Sequence, residues 1–283
     1  MKPRTVLVAV SLLAVVGLAL GAQAVPASSA AYLSSIRNTA NTTATAPYFT
    51  CAGATNATAE RAAAYFVYPL NETFTLLGAN DQSGHLFNNG AYSGGFATST
   101  ATPIACPRDT GGAYVLNGSS SFVTSPSQVT NPQTFSVEVW FKTTVASGKL
   151  IGLGSSQTGL SPNYDRHIYL TTAGKLNFGV NGTAGVSVIT SPLSYNDGLW
   201  HHAVATLSGA GAVLFVDGQS VIANPALTSA QVFNGYWRIG YDQQTGWPNP
   251  GANAYFTGQM RWAAAYNVAL TPAQVTAHYL AGR

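Results

Sequence analysis

The alternation of apolar and polar positions is clearest in residues 196–222, NDGLWHHAVATLSGAGAVLFVDGQSVI. It predicts a strand over 200–207, a turn of small residues over 208–211 and a second strand over 212–216. Asp217-Gly218 follows, the dipeptide that best tolerates the positive φ angles of a tight hairpin, and residues 219–222 return as a third strand. In the second strand Val213 and Phe215 project to one side, Leu214 and Val216 to the other. Both faces of this meander are apolar, so both need cover. That demands a second sheet or a strongly curved sandwich.

Other stretches supply the partners. Residues 135–142 (FSVEVWFK) make the best strand, with Phe135, Val137, Val139 and Phe141 on one face and Glu138 and Trp140 on the other. Residues 64–69 read as a strand, 78–95 as turn-dense chain, and 112–123 as a hairpin around Asn117-Gly118. Strands follow at 150–153, 167–171 and 175–180, the last closed by an Asn181-Gly182 turn and returning at 186–189. Residues 236–241 are a strand, 242–253 a long loop and 255–266 the closing strand region. A short helix ends the chain, with Thr271 as N-cap, Pro272 at N1 and Gln274 at the N3 place of a capping box. Many short strands with turns about every 8–12 residues and one brief helix mean an all-β jelly-roll sandwich.

The first residues change the picture of compartment. Lys2 and Arg4 precede an apolar run over 6–20, and Ala22-Gln23-Ala24 offers a small-x-small cleavage pattern. Residues 1–24 therefore read as a signal peptide. A retained membrane anchor is the competing reading, disfavoured because no basic stop-transfer cluster follows. After cleavage no membrane span is expected, and the product is secreted or associated with the cell surface. Residues 25–61 form an Ala/Thr/Asn-rich extension, read either as a linker or as a tethering or assembly arm, and 62–283 form the jelly-roll domain. Only 7% of residues are charged, against a usual quarter or so, and the net charge of +3 becomes +1 without Lys2 and Arg4. No basic patch exists for nucleic acid. Cys51 and Cys106, two cysteines in an exported chain, are expected to pair as a disulfide.

Four blocks carry a family resemblance: 64–72 with 81–84 (AYFVYPLNE and DQSG), 135–141 (FSVEVWF), 197–218 (DGLWHHAVATL through LFVDG) and 256–280 (FTGQMRWAAAYNVALTPAQVTAHYL). In this order they resemble the laminin-G-like, concanavalin A-like jelly-roll domains of secreted proteins. The resemblance spans about residues 62–283 and implies two antiparallel sheets with a short C-terminal helix. One departure matters, because Arg261-Trp262 stands where the family usually has an Asp-Glu pair. Any charge partner of that pair must be absent or rebuilt. The same scaffold hosts lectins, adhesion modules, accessory domains and glycanases, so fold alone does not fix function.

Glycan hydrolysis needs two carboxylates across the bond. The nine candidates are Glu60, Glu72, Asp81, Asp109, Glu138, Asp165, Asp197, Asp217 and Asp242, and no two alternate on one strand. Asp197 and Asp217 are explained as turn residues. His201 and His202 point to opposite faces and cannot share an ion; one is expected to pack inside and the other to meet solvent. Asp81 and Asp242 sit in the best oxygen clusters in turns and are candidates for a structural calcium ion, against the alternative of ordinary turn chemistry. Ligand binding is expected from stacking aromatics and neighbouring amides, with Trp247, Tyr241, Asp242, Gln243 and Asn249 in one loop and Tyr164, Asp165 and His167 in another. Trp247 has an equal claim to be a loop-packing anchor. The expected function is a non-catalytic module that binds a glycan or protein partner at the cell surface or in the extracellular matrix. The alternatives are a polysaccharide hydrolase or lyase, and a structural matrix or appendage subunit.

Overall fold

A computed structural model of the chain describes residues 47–283. The expected signal peptide and residues 25–46 of the extension lie outside the described residues. The described residues open with two short helices, α1 (Cys51–Thr55) and α2 (Thr58–Ala63), and run directly into β1 (Ala64–Tyr68). Short strands β2 (Ala91–Ser93), β3 (Ala97–Ser99), β4 (Ala113–Asn117) and β5 (Phe122–Thr124) precede the long ones: β6 (Phe135–Lys142), β7 (Lys149–Gly154), β8 (Tyr164–Leu170), β9 (Lys175–Gly182) and β10 (Gly185–Ser194). The predicted meander is β11 (Trp200–Ser208), β12 (Gly211–Val216) and β13 (Gln219–Asn224). Then come β14 (Tyr236–Ile239), β15 (Thr257–Tyr266) and helix α3 (Pro272–Gly282).

Among the described residues every strand pairing is antiparallel, and the strands form two sheets. The first runs β13-β12-β11-β6-β15-β4-β3, with β1 also pairing with β15; the second runs β10-β9-β8-β7-β14-β5-β2. Along one edge β15 bonds β4 through Thr257–Met260 and β1 through Ala263–Tyr266. Between those segments Trp262, at φ 49°, forms a bulge that turns the strand from one neighbour to the other. Leu214 and Val216 enter the core between the sheets with Val137, Val139, Phe141, Ile168, Phe178 and Trp237. Val213 and Phe215 face away from it, as the alternation predicts, and join Trp140, Val204, Trp262 and Tyr266 under α1 and α3. The second cover is thus a helical cap rather than a sheet.

Three local expectations are corrected. Residues 112–123 are not a hairpin, because β4 belongs to the first sheet and β5 to the second. Asn117 Oδ1 accepts the N–H groups of Ser119, Ser120 and Ser121, bending the chain across the sandwich edge. Asn181-Gly182 is not a turn either, since Asn181 pairs with Val186 and Gly182 with Gly185, leaving Thr183-Ala184 as the turn. Gly182 is needed for close approach instead: a Cβ there would sit 2.5 Å from the Ser229 carbonyl oxygen. Finally, β8 begins at Tyr164, so Tyr164 and Asp165 lie on a strand and not in a loop. The Thr271 capping box on α3 is present as expected.

Candidate functional site

The loop from Asp242 to Phe256 lies across the outer face of the second sheet. It is held mainly through its own carbonyls. Tyr169 Oη and the Asn177 amide donate to Pro248 O at 2.7 and 3.1 Å, Tyr164 Oη to Thr245 O at 2.7 Å, and Lys149 Nζ to Gln243 O at 3.2 Å. Trp247 packs edge-on against His167, centroids 4.0 Å apart, over Gly179, where a Cβ would come within 2.4 Å of the indole. Only 6% of Trp247 is exposed. Of its two expected roles, the packing anchor is the one its geometry fits. Tyr241 is likewise buried, stacked on Tyr255 at 3.5 Å and 4°.

Beneath the loop the polar groups are structural. Asp165 is buried and accepts the N–H groups of Arg166, Asn181 and Gln231, while Arg166 Nη1 lies 3.4 Å from it. Burial raises its carboxyl, and Arg166 with the three N–H groups opposes the shift. Burial pushes the Lys149 amine down to about 8, with Asp242 opposing. Burial and then the nearby Lys149 charge hold the His167 imidazole well below its usual range, so it is neutral. Gln243 is half-buried with its amide on Ser161 O, and Asn249 is exposed.

The two carboxylates expected to hold calcium are surrounded by donors. Asp81 accepts the Val67 and Ser83 N–H groups, the Ser83 hydroxyl and the Asn88 amide. Asp242 accepts the Ser161 and Gln243 N–H groups and the Ser161 hydroxyl, with Arg238 Nη1 at 3.7 Å. Hydrogens directed at both carboxylates make a shell for an anion, and the residues do not fit a hard cation. Among the described residues, Cys51, Cys106 and Asp109 converge closely enough to suggest metal ligands, but the two sulfurs are joined as the expected disulfide.

Under the helical cap, Glu138 is the acceptor at the centre of a buried cluster. His278 Nδ1 is 2.9 Å away, His202 Nε2 3.4 Å, and Tyr266 Oη donates at 2.7 Å. Burial would raise the Glu138 carboxyl, but His278 and His202 outweigh it and hold the group below its usual range. Burial lowers His278, and Glu138 more than reverses that, leaving the imidazole raised. The adjoining void is about 10 Å³, too small for a substrate. His201 turns the other way, between Asp217 at 2.8 Å and Asp197 at 3.1 Å. Both histidines are buried, so the expectation that one meets solvent is corrected: the cap covers His202, and the two turn carboxylates close over His201. Arg261, in place of the family's acidic pair, is rebuilt into a different job. Its guanidinium donates to the carbonyls of Ala105, Cys106, Asp109 and Thr110, fixing the chain beside the disulfide.

Among the described residues, a cleft of about 480 Å³ by Arg61, Ser83 and His85 and one of about 210 Å³ by Gln244 and Pro250 are lined by no Trp, Tyr or Phe, whereas two other open clefts are. One, about 210 Å³, lies beside Tyr164, Asn163, Asn181, Gln231 and the rim of Trp247. It brings together Tyr164 and Trp247 of the expected set. The other, about 360 Å³, is lined by Tyr65, Asn88, Ser125, Gln128, Val129 and Trp237. Its residues come from four stretches remote in sequence, and nothing in the local patterns marks them. Neither cleft is lined by a carboxylate.

Comparison with curated proteins gives no match. Several solved structures share the fold. Domain 4 of AbnA, a GH43 extracellular arabinanase from Geobacillus stearothermophilus solved in complex with arabinotriose, superposes with a TM-score of 0.53 at 18% identity, covering 76% of this chain and 97% of that one. The binding domain of Paraclostridial Mosquitocidal Protein 1 gives 0.55 at 13% identity, covering 77% of this chain and 52% of the other. A botulinum neurotoxin type C structure, described as depending on two ganglioside molecules for cell entry, gives 0.53 at 11%, covering 77% and 51%. At these identities the likeness is one of fold. The family model described as the concanavalin A-like lectin/glucanases superfamily (Laminin_G_3) matches residues 117–276, more than half of the 283 residues, and the chain belongs to that superfamily.

Proposed function

We propose that this is an exported, non-catalytic module that binds neutral glycan. The observation that carries the reading is the lining of the two open clefts that hold Trp and Tyr rings: aromatic rings, amides and hydroxyls, without the two carboxylates that glycan hydrolysis requires. The carboxylate best placed on a strand, Glu138, is sealed under the cap and already bonded to His278 and Tyr266. The Cys51–Cys106 disulfide fits an oxidising, extracellular compartment. The arabinotriose and ganglioside named for two fold relatives make sugars the first ligands to try.

The test is a glycan-array screen of the chain lacking residues 1–24, with and without a chelator, beside a reducing-sugar assay on every glycan that binds. Binding without release of reducing ends is expected. Release that survives purification would restore the hydrolase reading, and an array blank in both conditions would remove the glycan reading altogether.

A further inference from the structure

The cleft beside Tyr164 is walled by three side-chain amides that the fold holds in place and leaves partly unspent. Behind the wall, the buried Asp165 carboxylate accepts the backbone N–H groups of Asn181 at 2.8 Å and Gln231 at 2.7 Å. The buried Arg166 guanidinium donates to Gln231 O at 2.6 Å. β9 and the segment carrying Gln231 are thus fixed against each other from within the fold. Gln231 Nε2 then donates to Asn163 Oδ1 at 3.0 Å, which sets the direction of both amides. Gln231 Oε1 and Asn163 Nδ2 are left without a hydrogen bond among the described residues.

The third amide is free for a reason visible along its strand. Leu176, Phe178 and Val180 enter the core, so Asn177, Gly179 and Asn181 are the outward positions of β9. The Asn177 amide donates to Tyr169 Oη and Pro248 O and helps hold the loop, and Gly179 lies under Trp247. Asn181, the next outward position, makes no side-chain hydrogen bond among the described residues and lines the cleft. Asn163, Asn181 and Gln231 are all half-buried, and none of their free amide atoms is closed to solvent, so a ligand in the cleft can reach them.

These groups define the occupant. One acceptor, one donor and one amide offering both match neighbouring hydroxyls, each of which donates and accepts. No charged side chain lines the cleft, so nothing there recruits an ionic ligand. Tyr164 supplies ring surface: its Oη donates to Thr245 O at 2.7 Å and Lys149 Nζ lies 5.6 Å over the ring, which holds it in place and half-buried. The volume of about 210 Å³ is below the roughly 300–1,000 Å³ of most small-molecule sites, which suits one sugar unit with the rest of the glycan outside.

We propose that this cleft is the sugar site and takes a single neutral sugar unit, its adjacent hydroxyls bonded to Gln231 Oε1, Asn163 Nδ2 and the Asn181 amide and its apolar face against Tyr164. The assignment rests on the glycan-binding reading above and adds which cleft is used and how much of the glycan enters it.

The experiment selects the tightest neutral oligosaccharide on the array and measures its Kd calorimetrically for the chain lacking residues 1–24 and its variants. Asn181→Leu removes an amide the fold does not use, so affinity should fall about five- to tenfold, the size of one net hydrogen bond, with the thermal midpoint in place. Gln231→Met removes the acceptor and releases Asn163, and should cost at least as much. Tyr164→Ala should weaken binding to a similar extent, whereas Tyr164→Phe, which keeps the ring, should bind like the unaltered protein. Asn181 and Gln231 lie on different segments, so failure of one variant to fold leaves the other as the test. Within one oligosaccharide series, affinity should level off after the disaccharide. Unchanged affinity in both Asn181→Leu and Gln231→Met would overturn this assignment alone, with loss in Tyr65→Ala placing the sugar in the larger cleft. Affinity that keeps rising with each added unit would overturn the single-unit site. Failure of the unaltered protein to bind any sugar would overturn the functional reading together with it.

Discussion

Each sheet has one face turned away from the common core, and the two faces are closed by different devices. On the first, Trp140 is stacked between His202, at 4.9 Å, and Tyr279 of α3, at 5.7 Å. On the second, Trp247 comes down from a loop onto His167 and Gly179. A glycine makes each contact possible: a Cβ on Gly282 would lie 2.3 Å from Trp140, as one on Gly179 would lie 2.4 Å from Trp247. The fastening differs. The helical cap is tied covalently by Cys51–Cys106, and Asp109 accepts the first two N–H groups of α1. The loop is held by side chains donating to its carbonyls. The helical cap buries a charged pair that wants its proton on His278; the loop buries a histidine that wants none and a lysine whose charge is penalised. Similar packing therefore sits on opposite electrostatics.

The largest expected effects come from the two tryptophans. Trp140→Ala and Trp247→Ala should each cost about 3–5 kcal/mol in urea unfolding, with Trp140 nearer the top because a central strand collapses less readily than a loop. Equal costs would show that the loop is as rigid as the cap. Opening the disulfide in Cys51→Ser/Cys106→Ser should cost about 4 kcal/mol in the chain-entropy model. Amide exchange should then quicken in α1 and α3 and stay slow where Gly251 N–H bonds Leu170 O beneath the loop. Quickening at both places would mean the two closures are coupled.

Acidity separates the closures next. His278 is raised, so its contribution is complete below the unfolded value of about 6.5 and is lost as pH rises through the folded one. Glu138 is lowered, so its contribution is present above about 4.3 and is lost as pH falls. The stability difference between the unaltered protein and Glu138→Gln should be greatest between about pH 5 and 6 and shrink toward the alkaline side. His167 is lowered, so its contribution is lost below about 6.5, and His167→Phe should gain on the unaltered protein as the solution is made acidic. Urea titrations across this window check both signs; the same pH trend in both variants would break the comparison.

Smaller effects follow. Lys149→Met should change stability by no more than about 1 kcal/mol at neutral pH, since relief from burying the charge offsets the lost Gln243 contact. It should also abolish the rise in stability expected from about 8, the folded lysine value, to about 10.4, the unfolded one. Smallest of all is the response to a chelator. With donors ringing Asp81 and Asp242, the thermal midpoint should not move, and a clear fall on adding EDTA would restore the calcium expectation.

Much of the scaffold was legible because it rests on local rules. Period-two alternation marked β6, β11 and β12, Asp217-Gly218 marked its hairpin with φ 51° and 78°, and Thr271-Pro272 with Gln274 marked the start of α3. The misreadings have two causes. Asn117-Gly118 carries good turn chemistry, yet the strands it joins belong to different sheets; β9 and β10 do pair, but Asn181-Gly182 lies inside their ladder and the turn falls two residues later. The candidate sites were harder still. Trp247 and Tyr241 have the composition of a sugar platform, and only the packing of His167, Gly179 and Tyr255 shows them buried. Tyr65 and Trp237 gave no local signal.

What the sequence alone determined is the class of fold, the meander at its centre and the pairing of its two cysteines, because these depend on periodicity, turn residues and the absence of any other thiol. What only the tertiary structure decided is where the sparse charges went and which aromatics remain reachable. Arg166, Arg238, Arg261, Lys149 and Glu138 are buried beside partners remote in sequence. The exposure of a ring is a property of whatever lies over it, and for Trp247 that is a strand face formed some 70 residues earlier in the chain.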